Sequence, residues 1–359
     1  MKNNTVQVEK KKFETYISQL FQGVDRPLYG TIELTNACSY DCIHCFERDD
    51  RGKDVWTLDE VKKIIDEIVE EEGFALALSG GEPLLHPDFK DIYIYAKEKG
   101  LIVSVFSNLN YIDDKLLNLF KEYPVSSIST SCYGFSDETY EAVTKRKNSR
   151  KQFFENVNRL IEEEIPVDVK YFVLKENIHE ALIAKEYFNN RQVPFVFSYL
   201  LRAMDSGNID NLSHQITPKQ AIQLELRDEN KVEYWKNRYY SSDNSYDERI
   251  KAWNQKRKYL CPIGVKGYYI SANKNFYLCS SERLHGYNLK EGSFKYAWNI
   301  FRKQVIKEKP LKHLKCLDCE LFKLCTPCIG DNYFINNDEY KPVTYLCELA
   351  ELRKKYIID

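Results

Sequence analysis

The stretch TNACSYDCIHCFE, residues 35–47, places three cysteines in one short segment. Cys38, Cys42 and Cys45 follow the spacing C-x3-C-x2-C. A structural zinc ion takes four protein ligands and a disulfide joins two cysteines, so three thiols satisfy neither by themselves. The segment therefore predicts either a metal site completed by a distant residue or a site in which one coordination position stays open.

The overall composition excludes several classes of function. The 359 residues carry 52 Lys and Arg against 54 Asp and Glu, a net charge of -2, so there is no basic field for nucleic acid. The N-terminal segment lacks the apolar core of a signal peptide, and no apolar run is long enough to cross a bilayer. We expect a cytoplasmic protein with neither a nucleic-acid nor a membrane partner.

The eleven cysteines are unevenly distributed along the chain. Three lie in the opening segment, Cys132 stands alone, and seven fall between Cys261 and Cys347. In a reducing cytosol, clustered cysteines more often bind metal or take part in chemistry than form disulfides. The distribution therefore predicts two separate metal-bearing regions.

Short apolar runs alternate with amphipathic helical patterns six times in the first two-thirds of the chain. The runs lie at 28–36, 74–80, 101–108, 125–134, 167–175 and 194–202. The pattern predicts an α/β fold with parallel strands and right-handed crossovers, either an open doubly wound sheet or a partial barrel. The helix predicted over 57–72 begins with Thr57 and Glu60 at the spacing of a capping box.

Polar and glycine-rich residues follow these runs, where the carboxyl ends of parallel strands would meet at one rim. In chain order they are Cys38 to Cys45, SGGEP (79–83), Ser107 with Asn108, Ser129 with Ser131, and Arg202. We expect the chemistry to collect at this rim.

A second motif, LSGGEPLLHPDF (78–89), bears on the metal. Gly80 and Gly81 let the backbone approach a small ligand, Glu82 adds an acceptor, and Pro83 stiffens the turn. Three thiolates could hold a four-iron cluster with one iron left free, whereas a zinc site would need a fourth ligand such as His44 or His86. The glycine motif beside the cysteine triplet favours the iron cluster.

With both motifs present, residues 28–202 resemble the core of the radical S-adenosylmethionine (SAM) superfamily. The resemblance implies a partial (β/α)6 TIM-like barrel over 28–209 and a [4Fe–4S] cluster on Cys38, Cys42 and Cys45. The open iron would chelate the methionine part of SAM, and one electron would cleave SAM to methionine and a 5′-deoxyadenosyl radical.

The same resemblance implies a set of cofactor-binding residues. Residues 80–83 (Gly80, Gly81, Glu82 and Pro83) would hold the amino group, Ser107 and Asn108 would lie near the ribose, and the ring of His44 precedes the third cysteine. Ser129 and Ser131 at the end of the fourth strand join this set. Arg146 or Lys145 would reach the carboxylate, or else they belong to a solvated helix end.

The C-terminal third, 259–359, resembles the cysteine-rich α+β SPASM extension, which carries auxiliary [4Fe–4S] clusters. Carried over by position, auxiliary cluster one takes Cys261, Cys279 and Cys328, and auxiliary cluster two takes Cys316, Cys319, Cys325 and Cys347. Three clusters in total are expected, with a single auxiliary cluster or a zinc ribbon as alternatives. The fourth ligand of auxiliary cluster one stays open, as an exposed iron or a non-cysteine ligand.

The other segments are interpreted as connections. Residues 1–27 form an N-terminal extension, 210–258 a charged and aromatic linker, helical by default, and 268–281 a hairpin turning at Asn273 to Asn275 that delivers Cys279.

We hypothesise a maturase that abstracts hydrogen from a ribosomally made precursor peptide and installs a thioether or carbon–carbon crosslink. The Tyr-Gly pair at 133–134 resembles such maturases more than sulfatase-activating enzymes. The alternatives are a peptide epimerase with Cys132 as hydrogen donor, a formylglycine-forming enzyme, and a non-catalytic iron–sulfur or zinc module. Cys132 is otherwise a small buried hydrophobe.

The expected partners are the precursor peptide, a one-electron reductant of the flavodoxin or ferredoxin type, and a separate leader-binding protein. The last follows from the 27 residues before the first strand, too few for a leader-binding domain.

Overall fold

The computed structural model describes residues 25–52, 54–240, 259, 264–307 and 314–359. Most of the N-terminal extension, the second part of the linker and Cys261 lie outside the described residues.

Six parallel strands and their helices form the first part of the chain, which confirms the predicted alternation. The strands are β1 (Tyr29–Glu33), β2 (Ala75–Ser79), β3 (Ile102–Phe106), β4 (Ile128–Cys132), β5 (Val167–Phe172) and β6 (Phe195–Ser198). The helices are α1 (Leu58–Glu70), α2 (Phe89–Glu98), α3 (Asp114–Glu122), α4 (Asp137–Thr144), α5 (Ser149–Glu162) and α6 (Ala181–Asn190). The expected capping box at Thr57 and Glu60 is present at the start of α1.

The strand order decides between the two expected architectures. The strands lie side by side as β6-β5-β4-β3-β2-β1, every pair parallel. Because right-handed crossovers that always proceed in one direction put every helix on the same face, this is a barrel-type sheet and not a doubly wound one. Residues on the helix face, such as Leu78, Val105 and Val169, are buried.

The inner face of the curled sheet stays accessible. Phe106 on β3 is 42% exposed and Val196 on β6 is 50% exposed. By contrast, residues on the helix face of the same sheet, such as Val105, are buried. A closed TIM barrel fills this space with side chains. Here the partial barrel leaves an open lumen.

The second part of the chain continues the same sheet. β7 (Gly267–Ile270) pairs in parallel with β1, and β8 (Asn275–Tyr277) and β9 (Tyr287–Asn288) follow as antiparallel strands. The predicted hairpin is confirmed, with its turn between Ile270 and Asn275. The division of the chain at 209 and 259 stays a prediction, since one nine-stranded sheet crosses it.

Further helices connect and cover the two parts. They are α7 (Pro218–Glu225) and α8 (Glu229–Tyr240) in the linker, a helical stretch over 294–307, α9 (Ile329–Asn336) and α10 (Thr344–Arg353). The described part of the linker, 210–240, is thus largely helical, as expected. Among the described residues, no helix has the length and apolar character required to span a membrane.

Candidate SAM and iron–sulfur site

The two sequence motifs meet at the carboxyl ends of β1 and β2. The Gly81 N–H donates to the Thr35 carbonyl at 2.8 Å, and the Glu82 N–H donates to the Ala37 carbonyl at 2.8 Å. The glycine motif is therefore paired through its backbone with the start of the loop that carries the three cysteines.

This pairing requires glycine at both positions. Gly80 has φ +148°, and a Cβ there would lie 2.2 Å from the Thr35 carbonyl oxygen. A Cβ on Gly81 would lie 2.6 Å from the Ala37 carbonyl oxygen. Both distances are far below van der Waals contact, so any side chain at these positions would push the cysteine loop away.

The Glu82 carboxylate is directed into the scaffold. It is fully buried and accepts hydrogen bonds from the Ser107 hydroxyl at 2.8 Å and the Asn108 N–H at 2.7 Å. Burial raises the pKa of Glu82 to about 7, and these hydrogen bonds oppose the rise. Glu82 thus ties the ends of β2 and β3 together, and the role of residues 80–83 toward a cofactor stays a prediction.

The three thiols of the loop lie close enough to interact electrostatically. Burial, followed by repulsion from Cys45 and Cys38, raises the pKa of Cys42 well above its usual range. The Cys45 N–H donates to the Cys42 carbonyl at 3.1 Å, which folds the C-x2-C segment into a turn. The Asn108 amide lies 3.8 Å from the Cys38 sulfur as a weak donor.

The two histidines considered as zinc ligands differ in their surroundings. Nε2 of His86 lies 2.7 Å from the Trp56 carbonyl, and its Nδ1 accepts from the Asp88 N–H at 3.1 Å. Both nitrogens are engaged, so His86 does not complete a zinc site. His44 packs against Tyr133 and Phe172 with ring centroids 5.3 and 5.0 Å away, and its buried Nδ1 has no hydrogen-bond partner among the described residues. Burial lowers the pKa of His44 to about 4.

The remaining expected cofactor residues are divided between the lumen and the loop. Ser129 donates to Asp168 at 2.9 Å, and Ser131 lies beside the Tyr133 hydroxyl. Arg146 donates to the Ser39 carbonyl at 3.1 Å, which places its guanidinium against the cysteine loop. Their roles toward a cofactor stay predictions.

Cys132 lies on the opposite face of β4 from the two serines. It is fully buried, and its thiol lies 3.7 Å from the Gly134 carbonyl. Burial raises the pKa of Cys132 to about 12. A thiol sealed on the helix face has no path to a substrate in the lumen, so the structure argues against the hydrogen-donor role and favours the small buried hydrophobe.

The four cysteines expected at auxiliary cluster two lie close together. Burial, followed by repulsion from Cys325, Cys347 and Cys319, raises the pKa of Cys316 to about 12. The Cys319 N–H donates to the Cys316 carbonyl at 3.4 Å in a turn like that of Cys42 and Cys45. Four cysteines close enough to raise one another's pKa are a donor set suited to an iron–sulfur cluster.

Two of the three cysteines expected at auxiliary cluster one are described. A Cβ on Gly330 would lie 2.0 Å from the Ser281 carbonyl oxygen, so α9, which follows Cys328, packs directly on the turn that follows Cys279. Among the described residues, no three His, Cys, Asp or Glu side chains are already gathered at metal-binding distances. The assignment of these cysteines to two auxiliary clusters stays a prediction.

Sequence reasoning missed an ionic cluster between the cysteine loop and the β8–β9 connection. The Arg283 guanidinium lies 3.1 Å from Asp205, 3.6 Å from Glu33 and 3.8 Å from Glu47. Burial, and then repulsion from Glu33, raises the pKa of Glu47 well above its usual range, while Arg283 opposes this rise. The only sequence signal was the position of Arg283 just after CSSE (279–282).

Three comparisons with known proteins agree with this geometry. The model of the radical SAM superfamily matches residues 32–186. An AdoMet-dependent heme synthase of Methanosarcina barkeri is 24% identical, over 87% of this chain and 94% of that protein. The sporulation killing factor maturation protein SkfB of Bacillus subtilis is 24% identical, over 72% of this chain and 61% of that protein.

Among solved structures, Streptococcus suis SuiB bound to its precursor peptide SuiA superposes with a TM-score of 0.66 at 13% identity, covering 95% of this chain and 82% of SuiB. Such a likeness establishes the fold. The superfamily match over residues 32–186, together with the paired motifs at the barrel rim, shows that these residues are a radical SAM domain, in a chain related to peptide maturases.

Proposed function

We propose that this enzyme cleaves SAM reductively and uses the resulting 5′-deoxyadenosyl radical to install a crosslink, thioether or carbon–carbon, in a ribosomally made precursor peptide. The observation that carries the proposal is the backbone pairing of the glycine motif with the cysteine loop, because it brings the expected SAM-binding residues next to the expected cluster ligands.

The residues present fit a [4Fe–4S] cluster and SAM. Cys38, Cys42 and Cys45 supply three thiolates. Gly80 and Gly81 pack so closely against the cysteine loop that no side chain would fit at either position. When bound, the cluster and SAM supply the radical chemistry. The protein's own part is to hold the cysteine loop in position through the backbone N–H groups of Gly81 and Glu82.

The lumen supports a peptide as the second substrate. Phe106 and Val196 expose apolar surface on the inner face, while Ser129, Asp168 and Lys170 add polar groups on the same face. An accessible surface with mixed character suits a chain segment with several side chains better than a small apolar molecule.

Crosslinking is an oxidation, so it requires an electron acceptor, and the auxiliary clusters would serve as that acceptor. The peptide loses two hydrogen atoms: one leaves in 5′-deoxyadenosine, and the other leaves as a proton and an electron. We propose two auxiliary clusters, on Cys261, Cys279 and Cys328 and on Cys316, Cys319, Cys325 and Cys347, as the electron acceptor. A flavodoxin or ferredoxin type of protein would supply the first electron, and a separate protein would bind the leader.

A second candidate follows from the relative that aligns over 94% of its own length, whose name is AdoMet-dependent heme synthase. A porphyrin would then replace the peptide in the lumen. The two substrates differ in mass change and are separable in one assay.

The test combines the anaerobically reconstituted enzyme, SAM and a reductant with precursor peptides encoded beside its gene, or with iron coproporphyrin. Crosslinking predicts a peptide lighter by two hydrogen atoms that yields joined fragments in tandem mass spectrometry. Unchanged peptide mass with deuterium uptake from solvent would indicate epimerisation instead. A changed mass of the porphyrin, with every peptide unchanged, would contradict the proposal.

A further inference from the structure

Lys170 on β5 is the only Lys or Arg within the six described strands β1 to β6 of the barrel. We propose that its ammonium binds a carboxylate of the precursor peptide, so that the enzyme selects a peptide with an Asp or Glu at or next to the residue that it modifies. This inference rests on the proposed function, because it requires a peptide in the lumen.

The side chain of Lys170 lies on the inner face of the sheet. Val169 and Tyr171, on either side of it along β5, are buried, whereas Lys170 is exposed. Successive side chains of a strand point to opposite faces, so Lys170 points away from the helices. Val196, its register partner on β6, is 50% exposed on the same inner face. The ammonium is therefore accessible to a molecule that occupies the lumen.

Strand register places Lys170 at the level of the cysteine loop. Ser131 of β4 lies beside Lys170. The register of β3 and β4 puts Asn108, just past the end of β3, at the same level as Ser131. The Asn108 amide lies 3.8 Å from the Cys38 sulfur. Lys170 is thus at the height in the barrel where the expected cluster ligands begin.

An aromatic ring forms a second link between Lys170 and the cysteine loop. The ammonium lies 5.6 Å from the centroid of the Phe172 ring. The other neighbour of this ring is His44, with the two centroids 5.0 Å apart, and His44 directly precedes Cys45. A carboxylate bound by Lys170 would therefore lie close to the site at which the radical is expected to form.

The other cations at this rim already have partners. Arg202 lies 3.0 Å from Asp205, Arg283 is held in the ionic cluster described above, and Arg146 donates to a carbonyl of the cysteine loop. Within the described part of the chain, no acidic side chain forms an ion pair with Lys170, whose ammonium lies by an aromatic ring. Its charge is therefore available to a ligand.

The charge of Lys170 gives the lumen a means of discriminating between peptides. Asp168, the other charged side chain on this face of β5, accepts the Ser129 hydroxyl at 2.9 Å. A peptide that fills the lumen displaces water from the ammonium, and a charge buried without a partner is costly. A peptide carboxylate offsets that cost, whereas an amide or an aliphatic side chain does not. A coproporphyrin carries several carboxylates, so a single lysine on these strands suits a peptide better.

The test uses the reconstituted full chain and fluorescein-labelled synthetic copies of the precursor peptides encoded beside its gene. Each Asp or Glu of a peptide is changed singly to Asn or Gln, and binding is measured by fluorescence anisotropy. One of these changes should weaken binding about tenfold, and Lys170→Gln should weaken binding of the unchanged peptide to the same degree. Combining the two changes should add little further loss, because either one removes the same contact.

Two further variants separate a direct contact from a structural effect. Lys170→Glu should recover binding when the critical acid of the peptide is replaced by Lys, a rescue that a merely structural role would not produce. Lys115→Gln is the matched control, since it removes an exposed positive charge from the outer helix α3 and should leave peptide binding unchanged. Tandem mass spectrometry of the product should place the critical acid at or next to a crosslinked residue.

Other results overturn the assignment. Additive losses in the combined experiment, or an equal loss from Lys115→Gln, would exclude a direct pair. A raised KM for SAM in Lys170→Gln, with peptide binding unchanged, would assign the lysine to the SAM carboxylate. Weaker binding of iron coproporphyrin, with peptide binding unchanged, would assign it to the porphyrin.

The failure of this inference is distinct from the failure of the proposed function. A crosslinked peptide whose binding is insensitive to Lys170→Gln would remove the inference alone. A peptide that binds through Lys170 but is never crosslinked would remove the proposed reaction and leave the carboxylate contact in place. A parent chain that binds none of the peptides would remove both.

Discussion

The Ser107 hydroxyl donates to Oε1 of Glu82 across 2.8 Å, and this contact joins the ends of β2 and β3 behind the cysteine loop. Ser107 also accepts the Leu109 N–H at 2.9 Å. In Ser107→Ala, the Glu82 carboxylate and the Leu109 N–H each lose one hydrogen-bond partner. We therefore expect the free energy of unfolding to fall by about 1–3 kcal/mol. Urea denaturation of the metal-free protein measures it.

Ser104→Ala, on the same strand, is the matched control, since no hydrogen bond joins the Ser104 side chain to the described residues. We expect it to change stability by less than about 0.5 kcal/mol. Equal losses in the two variants would show that the contact with Glu82 is not what stabilises the rim.

Gly81→Ala tests the pairing of the two motifs. The added Cβ would lie 2.6 Å from the Ala37 carbonyl oxygen, so the cysteine loop must move and the thiols must separate. We expect at least several-fold less iron at the first cluster after reconstitution, measured in a variant whose auxiliary cysteines are replaced.

Gly100→Ala serves as its comparison. Gly100 has φ +85°, and an added Cβ there would meet nothing within 4 Å. The substitution therefore adds backbone strain of roughly 1 kcal/mol without a steric clash. Full iron loading in Gly81→Ala would mean that the loop is not held by this contact.

Glu180 predicts a pH dependence of stability. Burial alone would raise its pKa, but hydrogen bonds from Phe135 N–H at 2.6 Å, Ser136 and Thr139 outweigh burial and lower the pKa below its usual value. A lowered pKa in the folded state means that its stabilisation is complete above the unfolded pKa and is lost as the pH falls through the folded pKa.

Glu180→Gln should therefore lower the free energy of unfolding by about 1–3 kcal/mol at neutral pH and by less near pH 3. Denaturant unfolding of the metal-free protein over that pH range measures both values. A difference that stays constant with pH would exclude the carboxylate charge as the cause.

A buried ion pair joins α10 to the linker. The Arg353 guanidinium lies 2.7 Å from Oε1 and 2.8 Å from Oε2 of Glu225, stacks on Trp235 at 3.9 Å and donates to the Leu324 carbonyl at 2.7 Å. Arg353→Met leaves a buried carboxylate unpaired, and we expect a loss of about 3–5 kcal/mol.

Adding Glu225→Leu to Arg353→Met should restore most of that stability, because no charge is then buried alone. Urea denaturation of the two single variants and the double variant gives the coupling free energy between Arg353 and Glu225. Additive losses would show that the two residues stabilise the protein independently.

The backbone of the barrel was predictable because each strand and helix carries its own periodic signal. The six strands, the capping box at Thr57 and the hairpin before Cys279 follow local pattern. The choice of a barrel over a doubly wound sheet depends on strand order, which no local pattern encodes.

The contacts that unite the site were not predictable, because they join residues far apart in sequence. The Arg283 ion cluster draws on Glu33, Glu47 and Asp205, and the Arg353 pair links residues 128 positions apart. The motif predicts that Glu82 contacts the cofactor, yet its carboxylate accepts hydrogen bonds from Ser107 and Asn108. Charged and polar residues carry no periodicity that shows where they are buried.

The central claim is that Cys38, Cys42 and Cys45 hold a cluster that cleaves SAM. The most direct measurement is mass spectrometry of 5′-deoxyadenosine after anaerobic reconstitution, reduction and addition of SAM. We predict 5′-deoxyadenosine and methionine in equal amounts from the parent chain and none above background from Cys42→Ala. No product from a parent chain loaded with iron, or equal product from both proteins, would contradict the account.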